Sequence, residues 1–581
     1  MSGGFAAAAV SPVAGAHLFR MPGAEILVAA EGRFDDFGTL QSDLGFDRDS
    51  SIAQTLAAGY LKWGDRLLTR LRGDYALVIW DGTRQRLVAA RDPLGVRPLF
   101  HAICDGQLCF VSEVDQLLAA DLISVHLDDA RVVEFLMRDY RSLSRSFFKD
   151  VSRLPPGHAL TATATKTHIE DYRTPPMIEL RFKDVDACHE AYREKFYASV
   201  RRRLMSTAPV VVQVSGGVDS TAILCVADRL MESDTHGLSS VLGAFAEYPG
   251  LDCDETTYLD AVAKHIRAPI SRWDGTLASG IEFLHPLLAA PGSRMPWAGG
   301  TEGQVDIAKA HGAQSILDGT GGDQLGMPLG VESDDLTMAD WREAVRYIAR
   351  VGLAPRPLLR VGRWAVGTLL PRRAVRAYRG IRKGLRPPRV PAWLTPVGAV
   401  QVRTQSRSSP RGLFLSVDQR MRWKTLTGAG LAASIEAKQF HSSRFGLEMA
   451  FPFLDWDLVQ FVLSLPLRHW PTRRLRARLH REALRRDLPA AIYTRNSKAE
   501  FTPAMTNRVR RNLDLVSDLI EGKSWESGRF VDQGAARRLL ADFRIQIAPP
   551  FAAVYHLWAI ASLEAWLREI LRYRTSAIGG C

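Results

Sequence analysis

The sequence predicts a two-domain chain: an α+β front part rich in antiparallel hairpins, then a doubly wound α/β part with a helical insertion. Three observations predict it. A β-branched run, Val210-Val211-Val212-Gln213-Val214, ends in Ser215-Gly216-Gly217-Val218-Asp219-Ser220 and an apolar helical pattern, the order of a buried parallel strand, a tight turn and a helix. A second strand, Ser315-Ile316-Leu317, ends in a comparable loop, Asp318-Gly319-Thr320-Gly321-Gly322-Asp323. Hairpin patterns crowd residues 71–113, ahead of both loops. At 581 residues, 46% of them apolar, the chain is too long for one ordinary core and has the side chains to bury two.

In chain order, residues 75–80 read as a strand, Asp81-Gly82-Thr83 as a turn and residues 86–90 as the returning strand. A second hairpin follows, with residues 98–102 and 108–111 flanking Cys104-Asp105-Gly106-Gln107. From about residue 185 helices alternate with buried strands. Residues 187–204 form a basic amphipathic helix, 210–214 and 241–246 are strands, and a helix starts at Asp252. Gly/Asp loops at the carboxyl ends of two such strands place a ligand site at the switch point of the sheet.

The first loop reads as a phosphate site. Gly216 and Gly217 let the backbone turn tightly beside a ligand, and the following helix offers its unpaired N–H groups to an anion. Ser215 and Ser220 add hydroxyl donors. Asp219 would repel a bare phosphate, so it makes sense chiefly as a ligand for an accompanying magnesium ion. The alternative is a plain glycine-rich strand-to-helix turn. Gly522-Lys523-Ser524 is no Walker loop, because Ser517 stands where its first glycine is required.

A formal charge of +12 favours anionic partners without choosing among nucleotide, nucleic acid, membrane surface and acidic peptide. The six cysteines (104, 109, 188, 225, 253 and 581) show neither C-x-x-C nor zinc-like spacing, which points to reduced thiols in a cytoplasmic protein. No signal peptide is visible. The apolar stretch near 361–370 is interrupted by Arg360 and Arg363 and is too short to span a bilayer.

Several separated segments resemble the asparagine synthetase family. The Ser-Gly-Gly-x-Asp-Ser order is similar to the pyrophosphate loop of its adenylating synthetases, and residues 71–113 with Leu154-Pro155-Pro156-Gly157-His158 resemble its glutaminase domain. Asp318–Leu325 is similar to its Ser-Gly-Asp-Gly-Ala-Asp-Glu-Leu loop. Glu448-Met449-Ala450-Phe451-Pro452-Phe453-Leu454-Asp455 resembles Glu-x-Arg-x-Pro-Phe-Leu-Asp, with Ala450 replacing the arginine. Arg495-Asn496-Ser497-Lys498-Ala499-Glu500-Phe501 resembles the segment that supplies a catalytic lysine. The resemblance implies an Ntn-type, glutaminase-like β-sandwich layered with helices over residues 1–175. Over 185–581 it implies a doubly wound ATP-pyrophosphatase synthetase domain with a helical insertion. Implied cofactors are ATP and Mg2+. Ser215, Gly216, Gly217, Asp219, Ser220, Leu317 and Gly319 would bind nucleotide, Asp219 and Asp323 would hold the metal, and Glu448 and Lys498 would be catalytic.

The glutaminase chemistry itself is missing. The family's nucleophile is an N-terminal cysteine; here Met1 precedes Ser2-Gly3-Gly4, and no cysteine occurs before Cys104. Glu31-Gly32-Arg33-Phe34-Asp35-Asp36 aligns with Asn-Gly-Glu-Ile-Tyr-Asn, so a carboxylate replaces the amide that would stabilise an oxyanion. Ser2 as an N-terminal nucleophile is the alternative to a retained scaffold with lost activity. Relatives that dispense with ammonia include β-lactam synthetases and lasso peptide cyclases. Over a hundred residues separate Asp323 from Glu448, including the basic run 356–389. Such an insertion suits a bulky peptide or a protein partner, though a solvated basic face explains it too. The favoured expectation is a lasso peptide macrolactam synthetase acting on a leader-cleaved precursor peptide, alongside a leader peptidase and a leader-binding protein. The alternatives are an asparagine synthetase, a β-lactam synthetase-like ligase, an RNA-binding tRNA-modifying adenylating enzyme, for which no RNA-binding module is found, and a scaffold that has lost both activities.

Overall fold

A computed structural model of the chain describes residues 16–277, 302–326, 390–404, 417–465 and 479–578, apart from positions 22, 24, 48–49, 177, 207 and 234–237. Ser2 and the basic run 356–389 lie outside these residues. The front strands are β1 (Ala16–Arg20), β2 (Ile26–Phe34), β3 (Gly73–Asp81), β4 (Arg86–Arg91), β5 (Phe100–Cys104), β6 (Gln107–Val111), β7 (Val151–Arg153), β8 (His158–Ala162) and β9 (Thr167–Asp171). They form two antiparallel sheets, β1-β2-β3-β4-β8-β9 and β6-β5-β7. Alternation along β3 explains the layering. Tyr75, Leu77 and Ile79 pack with Leu40, Leu56 and Tyr60 of two helices, while Ala76 and Val78 face the opposite way, toward Leu99 and Leu160. The central sheet is therefore apolar on both faces, with helices on one side and the smaller sheet on the other.

The second part holds β10 (Val210–Val214), β11 (Val241–Glu247), β12 (Ile270–Asp274), β13 (Ser315–Leu317) and β14 (Glu448–Ala450), all parallel, in the order β12-β11-β10-β13-β14. The chain walks outward from β10 to β12, then returns to lay β13 on the other edge of β10. This is the doubly wound arrangement, and the loops after β10 and β13 diverge at its switch point. The helix expected from Asp252 begins instead at Thr256. Asp254 accepts the Tyr248 N–H and the Thr256 hydroxyl, which holds residues 252–255 as a turn.

The chain's two halves do not divide into two cores. Phe135, Leu136, Phe147 and Phe148 share a buried cluster with Phe530, Leu557, Leu563 and Trp566. Leu94 and Val96, from the loop after β4, sit in the core of the parallel sheet. Ion pairs cross the same boundary: Arg91 and Arg153 reach Glu436 at 3.0 and 2.9 Å, and Arg72 reaches Asp457 at 2.9 Å. Cys104, Cys109, Cys188, Cys225 and Cys253 are free thiols. No helix among the described residues is long and apolar enough to cross a membrane.

Candidate active site

Three valines of β10 are fully buried, which fixes where the strand ends and the first loop begins. Inside that loop the Ser215 N–H donates to Ser220 Oγ at 2.9 Å, the two hydroxyls lie 3.0 Å apart, and the Gly217 N–H donates to Ser215 Oγ at 3.2 Å. Gly216 is clamped from outside. Its N–H donates to Glu255 Oε2 at 3.1 Å, and its carbonyl accepts from Arg495 Nη1 at 2.6 Å. Arg495 also pairs with Glu255 at 2.5 Å and lies 4.0 Å from the centre of the Tyr258 ring. A Cβ on Gly216 would stand 2.7 Å from Arg495 and 2.9 Å from Glu255. Glycine is required there by the brace, not by a left-handed backbone.

The second loop leans on the first through glycines. A Cβ on Gly322 would meet Asp219 Cγ at 2.6 Å, and one on Gly319 would meet the Ser220 nitrogen at 3.2 Å. Asp318 accepts the Thr320 N–H at 2.7 Å, the Thr320 hydroxyl, and Lys438 Nζ at 2.7 Å. Burial pushes the Asp318 carboxyl up, but Lys438 and Thr320 outweigh it and hold it below the usual carboxylate range. Asp219 lies 2.6 Å from Nε2 of the fully buried His480, and Asp323 pairs with Lys498 at 2.7 Å. Each carboxylate thus has a nitrogen base beside it, and both carboxylates line a common space. Two carboxylates are hard oxygen donors of the kind that would hold a divalent cation such as Mg2+.

That space is a cavity of about 970 Å³. Of the residues expected from sequence, Ser215, Gly217, Asp219, Ser220, Gly319, Asp323 and Lys498 line it. Gly216 serves as the braced turn behind it, and Leu317 is fully buried in β13; neither is among the lining residues. Glu448 is not among them either. It begins β14, opposite Ser315, and its carboxylate pairs with Arg97 of the front part. Met137, Arg138 and Tyr140 of the front part and Phe551, Tyr555 and His556 of the terminal helix also line the cavity. A neighbouring cavity of about 540 Å³ shares Ser215 and Glu255 and is lined by Phe245, Ala246 and Tyr248 at the end of β11. Sequence reasoning assigned no role to Glu255, Arg495, His480 or Lys438. Glu255 and Arg495 lay within motifs already singled out; His480 and Lys438 carried no local signal.

The asparagine synthase family profile matches residues 191–568, and a glutamine amidotransferase domain profile matches residues 26–173. The chain belongs to the asparagine synthase family. Among curated relatives, amidase chyE of Penicillium rubens is 29% identical over 190 residues, covering 32% of this chain and 28% of the relative. Asparagine synthetase [glutamine-hydrolyzing] 3 of Bacillus subtilis is 32% identical over 190 residues, covering 32% and 31%. The matched region spans less than a third of either relative's length. Glutamine phosphoribosylpyrophosphate amidotransferase of B. subtilis, a solved structure, aligns over 44% of this chain and 47% of its own at 14% identity and a TM-score of 0.21, too low to carry an argument.

Proposed function

We propose that this family member is an ATP-dependent lasso peptide macrolactam synthetase. It activates an Asp or Glu side-chain carboxylate of a leader-cleaved precursor peptide as the adenylate, releasing pyrophosphate; the peptide's N-terminal amine then displaces AMP to form an isopeptide bond. One observation carries the reading. The two glycine loops open into a cavity also lined by the front part and the terminal helix, at the upper end of the volumes small-molecule sites take. In this reading the adenine base takes the adjoining 540 Å³ cavity, beside Phe245 and Tyr248, and the larger one is left for phosphates and a bulky acyl donor. Phe551, Tyr555 and Tyr140 give it aromatic surface for a peptide.

Within this reading the roles combine the family resemblance with the contacts described above. Ser215, Gly217 and Ser220 donate to the departing pyrophosphate, with the helix N-terminus behind them. Asp219 and Asp323 would hold Mg2+, which supplies charge neutralisation on the phosphates. Lys498, on a mobile stem, can exchange Asp323 for an α-phosphate oxygen. Glu448, which pairs with Arg97 outside the cavity lining, takes the role the family resemblance implies and orients or deprotonates the attacking amine. Glutamine hydrolysis has no place in it, because Glu31 puts an acceptor where a donor is needed, and that carboxylate is engaged by Ser112 and by Arg97 at 3.7 Å. A cytoplasmic setting, a leader peptidase and a leader-binding protein belong to the same proposal; no contact described here calls for nucleic acid.

The deciding experiment supplies the protein with ATP, magnesium and a synthetic core peptide. The expected result is AMP, pyrophosphate and a peptide lighter by one water. ADP as product, or amidation of free aspartate by ammonia with the peptide untouched, overturns the reading, the second in favour of an asparagine synthetase.

A further inference from the structure

Residues 91–97 connect β4 to the rest of the front part and are held with unusual completeness. Asp92 accepts the N–H groups of Leu94, Val96 and Arg97 at 3.2, 3.0 and 2.9 Å. Arg91, fully buried, donates to the carbonyls of Arg97, Leu154 and Gly95 at 2.6, 3.0 and 2.7 Å. Gly95 takes a left-handed φ of 69°, and Pro156 packs where its Cβ would be. Leu94 and Val96 are then seated in the core of the parallel sheet. A loop tied at both ends and anchored in the other half of the molecule presents its last side chain with little freedom.

That side chain is Arg97, 4% exposed. Its guanidinium pairs with Glu448 and lies 3.7 Å from Glu31. Glu31 occupies the position at which the sequence lost its oxyanion-stabilising amide, and its other oxygen accepts from Ser112. A second front-part cation, Arg33, is largely buried, and its partners Asp35 and Asp74, with a smaller part from Glu448, outweigh that burial and hold its pKa up. The disabled centre of the front part has therefore become a fixed positive group aimed at β14.

We propose that Arg97 is a positioning residue for amide formation: it holds Glu448 as an oriented carboxylate, so the front part contributes to the synthetase reaction through charge rather than through its own chemistry. The inference rests on the reading that Glu448 serves the attacking amine. Glu448 starts an edge strand and has an 18% exposed side chain. Without Arg97 it loses the cation it shares with the half-buried Glu31, and with it a fixed direction.

The test separates the two half-reactions. Peptide-dependent exchange of labelled pyrophosphate into ATP reports activation, and loss of water from the peptide reports closure. Arg97→Ala should leave exchange within about threefold of wild type and lower closure roughly 100-fold, the scale on which a positioned acid-base group acts. Arg97→Lys should restore a substantial part. In a Glu448→Gln background, Arg97→Ala should cost less than about threefold more, since the two changes remove one linked interaction. Closure at the wild-type rate in Arg97→Ala, equal loss of both half-reactions, or losses that multiply in the double variant would overturn the proposal. If Arg97→Ala does not fold, Arg97→Gln and Arg97→Lys carry the same comparison. Failure of the parent reading looks different: wild type would give no peptide-dependent exchange. Were it to amidate free aspartate with ammonia instead, the Arg97 series would be scored on that bond.

Discussion

At the scale of single residues, Lys498 shows how a partly exposed ion pair can be useful because it is weak. Its side chain is 59% exposed and that of Asp323 36%, so solvent screening limits their pairing to about 0–1 kcal/mol. Moving the ammonium from Asp323 to a phosphate therefore costs little, while neutralising charge in the transition state is worth several kcal/mol. Lys498→Ala should lower both pyrophosphate exchange and peptide closure, on the order of 100- to 1,000-fold. Its melting temperature should stay within about 2 °C of wild type, because almost no net stability is removed. A large fall in melting temperature, or loss confined to closure, would assign Lys498 another role. Lys498 and the Ser215–Ser220 loop were readable because their chemistry is written in consecutive residues. The Glu255–Arg495 brace and the His480–Asp219 pair were not, since each joins residues whose proximity only the tertiary fold creates.

At the scale of elements, the helix Trp456–Leu463 is held in register by one carboxylate that does two jobs. Asp455, 3% exposed, caps it by accepting the N–H groups of Asp457 and Leu458 at 3.1 and 3.2 Å. It also pairs with Arg202 at 3.1 Å and Arg203 at 3.2 Å. Burial pushes its carboxyl up, but the two guanidinium groups, with the Leu458 N–H, outweigh that and hold it below the usual range. Asn can keep the cap but not the charge. Asp455→Asn should cost about 3 kcal/mol near neutrality, where a buried cation loses a partner. Because the folded pKa is depressed, this contribution is fully present above the ordinary aspartate value of about 3.9 and is lost as pH falls through the folded value. Urea unfolding of wild type and variant should differ at pH 7, and the gap should narrow only as the pH falls below about 3.9. A constant gap would mean that the amide disturbs packing rather than charge. The Pro-Phe-Leu-Asp order makes the segment visible in the sequence, whereas the helix start expected at Asp252 falls at Thr256: the acidic run resembles a first helical turn, but Asp254 holds a turn and Glu255 the Ser215–Ser220 loop.

At the scale of the whole molecule, the β3–β4 and β5–β6 hairpins and strands β10, β11 and β13 follow from apolar runs, turns and glycine loops, but β1, β2, β12 and β14 carry no such signal, and the sequence gives no sign of sheet order or of how thoroughly the halves are fused. Hydrophobic periodicity reports which face of an element is apolar, not which partner covers it. Here Phe135 and Phe147 on the front side are covered by helices near the carboxyl end, and Phe147 packs edge-on against Trp566 with ring centroids 5.8 Å apart. Glu436 is shared by Arg91 and Arg153, both almost wholly buried, so removing the second half would leave two desolvated cations without their carboxylate. For Arg153 the environment is severe enough that burial pulls its pKa down to about 9 despite Glu436. The intact chain should accordingly unfold by heat or urea in one transition reported alike by tryptophan fluorescence and far-ultraviolet circular dichroism. A fragment ending at residue 175 should expose the apolar side of its smaller sheet and be recovered aggregated or without a cooperative melt. A soluble 1–175 fragment with its own sharp transition would show instead that the front part is an independent domain, and that the shared core adds stability without being needed for the fold.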